Sequence, residues 1–158
     1  MQPTKQQWEK IKKDLSYHYG SAYLKCDDYL VSASVEQSKM KLVIFIYING
    51  CFSGKNVWHG KESDLEQMGD IARRFYCLST KGPNAKIIAL NLKIFGKKEC
   101  LKKGYNDRSC YTWPQFRTAG AFIAHLKKHN PSIEVLDFET YKQALDALPK
   151  ESIDEGKQ

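Results

Sequence analysis

Residues 39–56 read KMKLVIFIYINGCFSGKN. Leu42, Ile44, Ile46 and Ile48 alternate with Val43, Phe45 and Tyr47, so both faces of a strand over 40–48 are apolar. Such a strand belongs inside a sheet covered on both sides, which places Phe45 and Tyr47 in the core. The residues after Ile48 decide the fold. Gly50, Gly54 and Lys55 resemble a phosphate-gripping loop, but that loop needs four residues between its glycines, a hydroxyl residue after the lysine, and a helix beginning there. Here three residues intervene, Asn56 stands where the hydroxyl belongs, and Val57-Trp58-His59-Gly60 has no helical period. Asn49-Gly50 between two strands is instead the strongest short hairpin signal, because both residues tolerate the positive φ of a type I′ turn. The chain is expected to turn round and return as a strand over 51–58.

Working outward, Tyr29, Val31, Ala33 and Val35 alternate with Leu30, Ser32, Ser34 and Glu36, giving a strand over 29–37 with one buried face. A shorter strand over 22–26 precedes it across an Asp27-Asp28 turn. Before these, Thr4-x-x-Gln7 is a capping box, and Trp8, Ile11 and Leu15 form the stripe of a helix over 4–16. Ser63-x-x-Glu66 marks a second capping box, and Leu65, Met68, Ile71, Ala72 and Phe75 suit a helix over 64–77. Residues 85–95 fit strand alternation, but Asn84 as a cap and Gly96 as a stop favour a helix. A strand over 108–113 comes next. Pro114 then suits the start of a helix over 114–129, with Phe116, Ala119, Ile123 and Leu126 inward. A strand over 132–136 and a helix over 138–148 complete one α+β domain at 1–148, a mainly antiparallel sheet with a central hairpin packed by helices. The polar end, 149–158, is expected to be a disordered tail.

The composition, 42% hydrophobic and 27% charged, is that of a globular chain, and no apolar run reaches the roughly 20 residues of a membrane helix. No membrane partner is expected. The opening MQPTKQQWEKIKK has no signal-peptide core. Five cysteines without a CxxC pair suggest neither a disulfide framework nor a zinc site, and suit a cytoplasmic setting. The formal charge of +7 is unevenly spread. Residues 81–130 hold eleven lysines and arginines against Glu99 and Asp107, whereas 131–158 hold three lysines against seven acids. A basic centre attracts polyanions.

No catalytic constellation stands out, no cofactor is expected, and the chain reads as non-enzymatic. His125 and His129 have the i, i+4 spacing of a metal pair, but no third ligand accompanies them, and surface histidines at the lysine-rich end of a helix are the simpler reading. No cysteine is paired in sequence with a histidine base. The basic centre has more content. Lys86, Lys93 and Lys97 share a face if their segment is one helix, and Lys98, Lys102, Lys103 and Arg108 come after them. Phe95, Tyr105, Tyr111 and Trp113 accompany them, so lysines are placed to meet phosphates and rings to stack on bases, although Phe95 and Trp113 are equally good core residues. These seven cations are the candidate nucleic-acid contact.

The order KLVIFIYINGCFSGK, RRFY, KIFGKKE, a Tyr-Trp strand and FRTAGAFIAHLKKHNPSIEVL resembles a group of short phage- and prophage-encoded proteins. In these a Tyr-x-Asn-Gly-x-Phe hairpin, an FGK segment and a Trp-led helix ending before Ser-Ile-Glu recur in that order. The resemblance spans roughly residues 8–136. It implies an accessory role in a bacterial host cytoplasm and carries no active site. Two roles are compatible with it: binding nucleic acid through the lysines, or modulating a host enzyme or defence complex as a small protein-binding inhibitor.

Overall fold

A computed structural model describes residues 1–150. The expected tail over 149–158 lies outside the described residues, apart from Pro149 and Lys150. The fold is α+β, with helices on antiparallel sheets. Helix α1 (Lys5–Asp14) opens on the Thr4 capping box and buries Trp8 and Ile11. Strands β1 (Ser21–Cys26), β2 (Tyr29–Ser38) and β3 (Lys41–Ile48) form an antiparallel meander whose tight turns hold Asp27 and Lys39 at positive φ. Further along are β4 (His59–Lys61), α2 (Asp70–Phe75), β5 (Cys77–Lys81), α3 (Ala85–Lys103), β6 (Ser109–Trp113), β7 (Gln115–Phe116), α4 (Ala119–His129), β8 (Glu134–Leu136) and α5 (Phe138–Asp146).

Two sheets result. The larger has the order β7-β3-β2-β1-β8, and the smaller the order β4-β6-β5. In the larger sheet, Ala22, Leu24, Val31, Ala33, Val35, Ile44, Ile46, Ile48 and Phe116 are buried on one face. Trp8 and Ile11 of α1, Phe75 of α2, and Phe122, Ile123 and Leu126 of α4 complete that core. Fully burying one such side chain is worth about 1.5–3 kcal/mol, so this single cluster holds the fold. Helix α5 lies on the opposite face, where Tyr141 packs on Tyr23 with ring centroids 4.9 Å apart.

Four expectations fail locally. Asn49 and Gly50 do adopt positive φ, and Ile48 bridges to Cys51, so the turn is the expected one. The strand over 51–58 is absent, however: Gly54–Asn56 forms one 3-10 turn and pairing resumes at β4, in the other sheet. The helix over 64–77 is confined to Asp70–Phe75, because Glu62–Gln67 winds as 3-10 helix with a non-helical Asp64, and Gly69 is the N-cap. The Ser63 capping box is therefore not formed. Pro114 does not start a helix; its carbonyl accepts from the Ile46 amide, and α4 begins at the Thr118 cap. Finally, β3 is not covered on both faces. Phe45 and Tyr47 are half-buried and lie outside the core cluster, since α5 covers that face over Tyr23 and, through Leu145, at the Gly50 turn, but does not pack on these two rings.

A partly buried polar network, with Asn130 at its buried end and Asp27 and Asp70 at the surface, ties α2 to the sheet and α4. The Arg74 guanidinium pairs with Asp27, lies 3.6 Å from Asp70, and donates to Asn130 Oδ1 at 2.8 Å. Asn130 returns its side-chain amide to the carbonyls of Arg74 and Leu126. Every polar end is met, which is the condition for tolerating such groups inside.

Candidate nucleic-acid interface

The seven sequence-predicted cations come together on one structural unit. Strands β5 and β6 pair from Cys77↔Trp113 to Lys81↔Ser109, and residues 82–108 are inserted between their ends as a helical arm. At its base Gly82 abuts Arg108: a Cβ there would lie 2.7 Å from Arg108 Cγ, so the two chains cross closely only because residue 82 has no side chain. Asn84 caps the helix by accepting from the Ile87 amide at 3.0 Å. Gly96, at φ 76° and ψ 159°, breaks α3 in two, and Gly104 closes it in the left-handed conformation. The second piece and its following turn fold back onto the first. Asn91 donates to Asn106 at 3.0 Å, the Cys100 thiol lies 3.4 Å from the Asn91 carbonyl, and the Phe95 and Tyr105 rings pack at 4.7 Å.

Lys86 and Lys93 stand on the first piece, seven residues apart and thus on one face; Lys97, Lys98, Lys102 and Lys103 stand on the second, and Arg108 at the base. The expected single face shared by Lys86, Lys93 and Lys97 is broken by the chain reversal at Gly96. All seven are exposed. Lys103 pairs with Glu99 at 3.6 Å and Arg108 lies 3.9 Å from Glu62. The other five have no ion-pair partner among the described residues. Lys61, facing Asp107 at 3.7 Å, adds a cation beside the base.

The arm is apolar as well as basic. Cys100 is the sole fully buried side chain of α3, while Ile87, Leu90 and Leu92 are exposed and Ile94 and Leu101 are 61% and 74% exposed. Phe95 and Trp113 are exposed too, so neither serves the core.

Phe45 and Tyr47, expected in the core, belong to a different feature. Tyr47, Phe45, Phe52 and Trp113 form a row with successive ring centroids 5.0, 5.9 and 5.7 Å apart. The Tyr47 hydroxyl donates to Glu36 at 2.6 Å, and that bond pushes its pKa up to about 12. Phe52 carries the one signal the sequence offers: it stands two residues past the Asn49-Gly50 turn, so the turn swings it back over β3. Trp113 has no such signal, because it comes from the other sheet.

The candidate chemical groups fare differently. His125 is not a surface residue; its ring packs on Phe116 at 5.4 Å and on His129 at 4.5 Å, and its Nε2 is buried without a hydrogen-bond partner. Burial, with His129 beside it, pushes its pKa down to about 4. Burial pushes the Cys26 thiol up to about 12 and the Cys77 thiol upward as well, the reverse of what activates a nucleophile. Among the described residues no group of three or more His, Cys, Asp or Glu is placed to hold a metal ion, and no helix is long and apolar enough to cross a membrane. Comparison with protein-family models, with curated proteins and with solved structures returned no match.

Proposed function

We propose that this chain is a phage or prophage accessory protein that binds nucleic acid through the arm, by charge and with little sequence selectivity. One observation carries the reading: seven cations and only two acids occupy residues 82–108, a unit that projects from the end of a hairpin and buries a single helix side chain. Helix α1 carries four lysines against Glu9 and Asp14, and its Lys5–Glu9 pair is of the same i, i+4 kind as Glu99–Lys103 on the arm, so what favours the arm is its excess of seven cations over two acids. Among the described residues Lys86, Lys93, Lys97, Lys98 and Lys102 have no ion-pair partner and are free to meet an outside anion. Five phosphate contacts to a single strand give a log–log salt slope of about −3.5.

The test is fluorescence anisotropy of labelled oligonucleotides titrated with the full chain from low to physiological salt. Binding that falls with that slope, and a slope that flattens by about two in the triple variant Lys97→Glu/Lys98→Glu/Lys102→Glu, support the reading. No binding at low salt, or binding indifferent to the triple variant, overturns it.

A second reading rests on the arm's exposed Ile87, Leu90, Ile94 and Leu101, which phosphates do not require. It makes the arm a ligand for an apolar, acid-rimmed groove on a host protein, the mode in which a helix lays anchors into a partner. A stoichiometric protein complex isolated from a bacterial host, free of nucleic acid and lost in Leu90→Ser/Ile94→Ser, selects this reading over the first.

A further inference from the structure

We infer that Phe52 and Trp113 form a base-stacking platform, which makes single-stranded nucleic acid, rather than duplex, the ligand of this surface. The inference rests on the arm reading and adds a substrate class to it.

Phe52 and Trp113 are 36% and 40% exposed, and their centroids are 5.7 Å apart. Phe52 is held from below, and Trp113 packs against Phe52 at its edge. Phe45 packs edge-on against Phe52 at 5.9 Å, and Tyr47, moored to Glu36, packs against Phe45. Rings fixed in this way lose little freedom when a base settles on them. Helix α5 shares this face but lies over Tyr23 at the β1 side, reaching only the Gly50 turn through Leu145, and Phe52 and Trp113 keep their exposure. Glu36, the acid nearest the row, is engaged by the hydroxyls of Ser34 and Tyr47.

The row also leads to the cations. Tyr111 lies two residues from Trp113 on β6 and therefore on the same face. Lys81 Nζ sits 5.2 Å from the Tyr111 ring centroid, and Lys81 pairs in register with Ser109, at the arm's root. From Trp113 to Ser109 is four residues of strand, about 14 Å. A short oligonucleotide can thus stack on Phe52 and Trp113 while its backbone runs past Lys81 to the arm lysines. Duplex bases are hidden in their own stack and offer these rings nothing, so only a strand with free faces gains from both features.

The experiment compares an oligothymidylate of about twenty residues with a blunt duplex of equal length, using the full chain and anisotropy at low salt. Tighter binding of the single strand, quenching of Trp113 fluorescence on binding it (read against Trp113→Phe), and about ten-fold weaker single-strand binding in Phe52→Ala and Trp113→Ala with duplex binding unchanged are expected. Phe52→Tyr and Trp113→Phe, which keep a ring, retain most of the affinity. Equal affinity for both ligands with no effect of these variants overturns the platform and leaves the arm reading standing. Equal loss for single strand and duplex assigns Phe52 and Trp113 a structural role and overturns it too. Absence of binding by either ligand defeats the arm reading itself.

Discussion

Helix α4 carries Phe122, Ile123 and Leu126 with Lys127 and Lys128 in its last turn; helix α3 carries Ile87, Leu90, Ile94 and Leu101 among six lysines. The ingredients match, yet α4 buries its apolar stripe and α3 leaves its own in water. What separates them is attachment. Thr118 caps α4 two residues after Phe116, the edge residue of the sheet, and Phe116 meets Phe122 at 5.4 Å, so the helix is laid onto the sheet as soon as it starts. Helix α3 leaves β5 through Gly82-Pro83 and returns to β6 without crossing a sheet face. Apolar content alone does not decide burial; the surface that topology offers does.

The widest gap between the two helices is in stability. Phe122→Ala empties a fully buried site and costs about 3–5 kcal/mol. Leu101→Ser on the arm changes stability by less than about 0.5 kcal/mol. Urea midpoints for both variants measure the contrast. A large loss in Leu101→Ser that grows with protein concentration breaks the comparison, because the arm would then be covered in solution by a second copy.

Charge sharpens it next. Arg74→Met strands Asp27 and the Asn130 side-chain oxygen; the expected cost is about 2 kcal/mol, below that of a fully buried pair because Asp27 and Asp70 keep contact with water. On the arm, Lys103→Ala removes an exposed i, i+4 pair with Glu99 and costs about 0.3–0.5 kcal/mol. The same denaturation series reads both.

The two regions also differ in how far the sequence reveals them. The three-strand meander is legible because its inward residues alternate, its first turn carries Asp27-Asp28 and Asn49-Gly50 marks its end, local signals that tertiary packing does not override, although the Lys39 turn between β2 and β3 carries none. The arm's helix is legible from Asn84 and Gly96, and its lysines are placed together by simple adjacency in the chain. The return strand after Gly50 is not, since Phe52 packs ring to ring between Phe45 of β3 and Trp113 of β6 and Val57 packs on the core, with no ladder against β3 beyond the Ile48–Cys51 bridge. Nor is the shortened α2, which starts at the Gly69 cap, past a Ser63-x-x-Glu66 capping motif that is present in the sequence but does not form. The aromatic row has no sequence signature as a unit, because Trp113 and Phe52 are brought together by the junction of two sheets.

A pH dependence confined to the body comes third. His125 is neutral in the fold, its pKa pushed down to about 4 by burial, with His129 and Lys128 alongside. Unfolded, it takes up a proton near 6.5, so between about pH 6.5 and 4 the unfolded chain binds more protons and stability falls as pH falls. The expected loss across that window is on the order of 2 kcal/mol. His125→Phe removes that part of the slope while leaving arm binding unchanged at constant pH. Urea midpoints at about pH 7 and pH 5 for the two proteins give the difference; identical slopes exclude His125 as the group responsible.

The smallest effect tests the arm's independence from the body. Gly96 occupies φ 76° and ψ 159°, a region that side-chain-bearing residues avoid, and no atom lies within 4 Å of where its Cβ would stand. Gly96→Ala therefore meets backbone strain and no clash, and the arm cannot escape that strain by running α3 on as one rod. Nineteen helical residues span about 28 Å, whereas residues 104–108 reach at most about 18 Å on the way back to Arg108 beside Gly82. The hinge stays, and the stability read from the urea midpoint should drop by about 1 kcal/mol, the lower end for a side chain in this region, since no core residue moves. A loss several times larger means that the broken arm braces β5 and β6, and the division into a self-sufficient body and a free limb fails there.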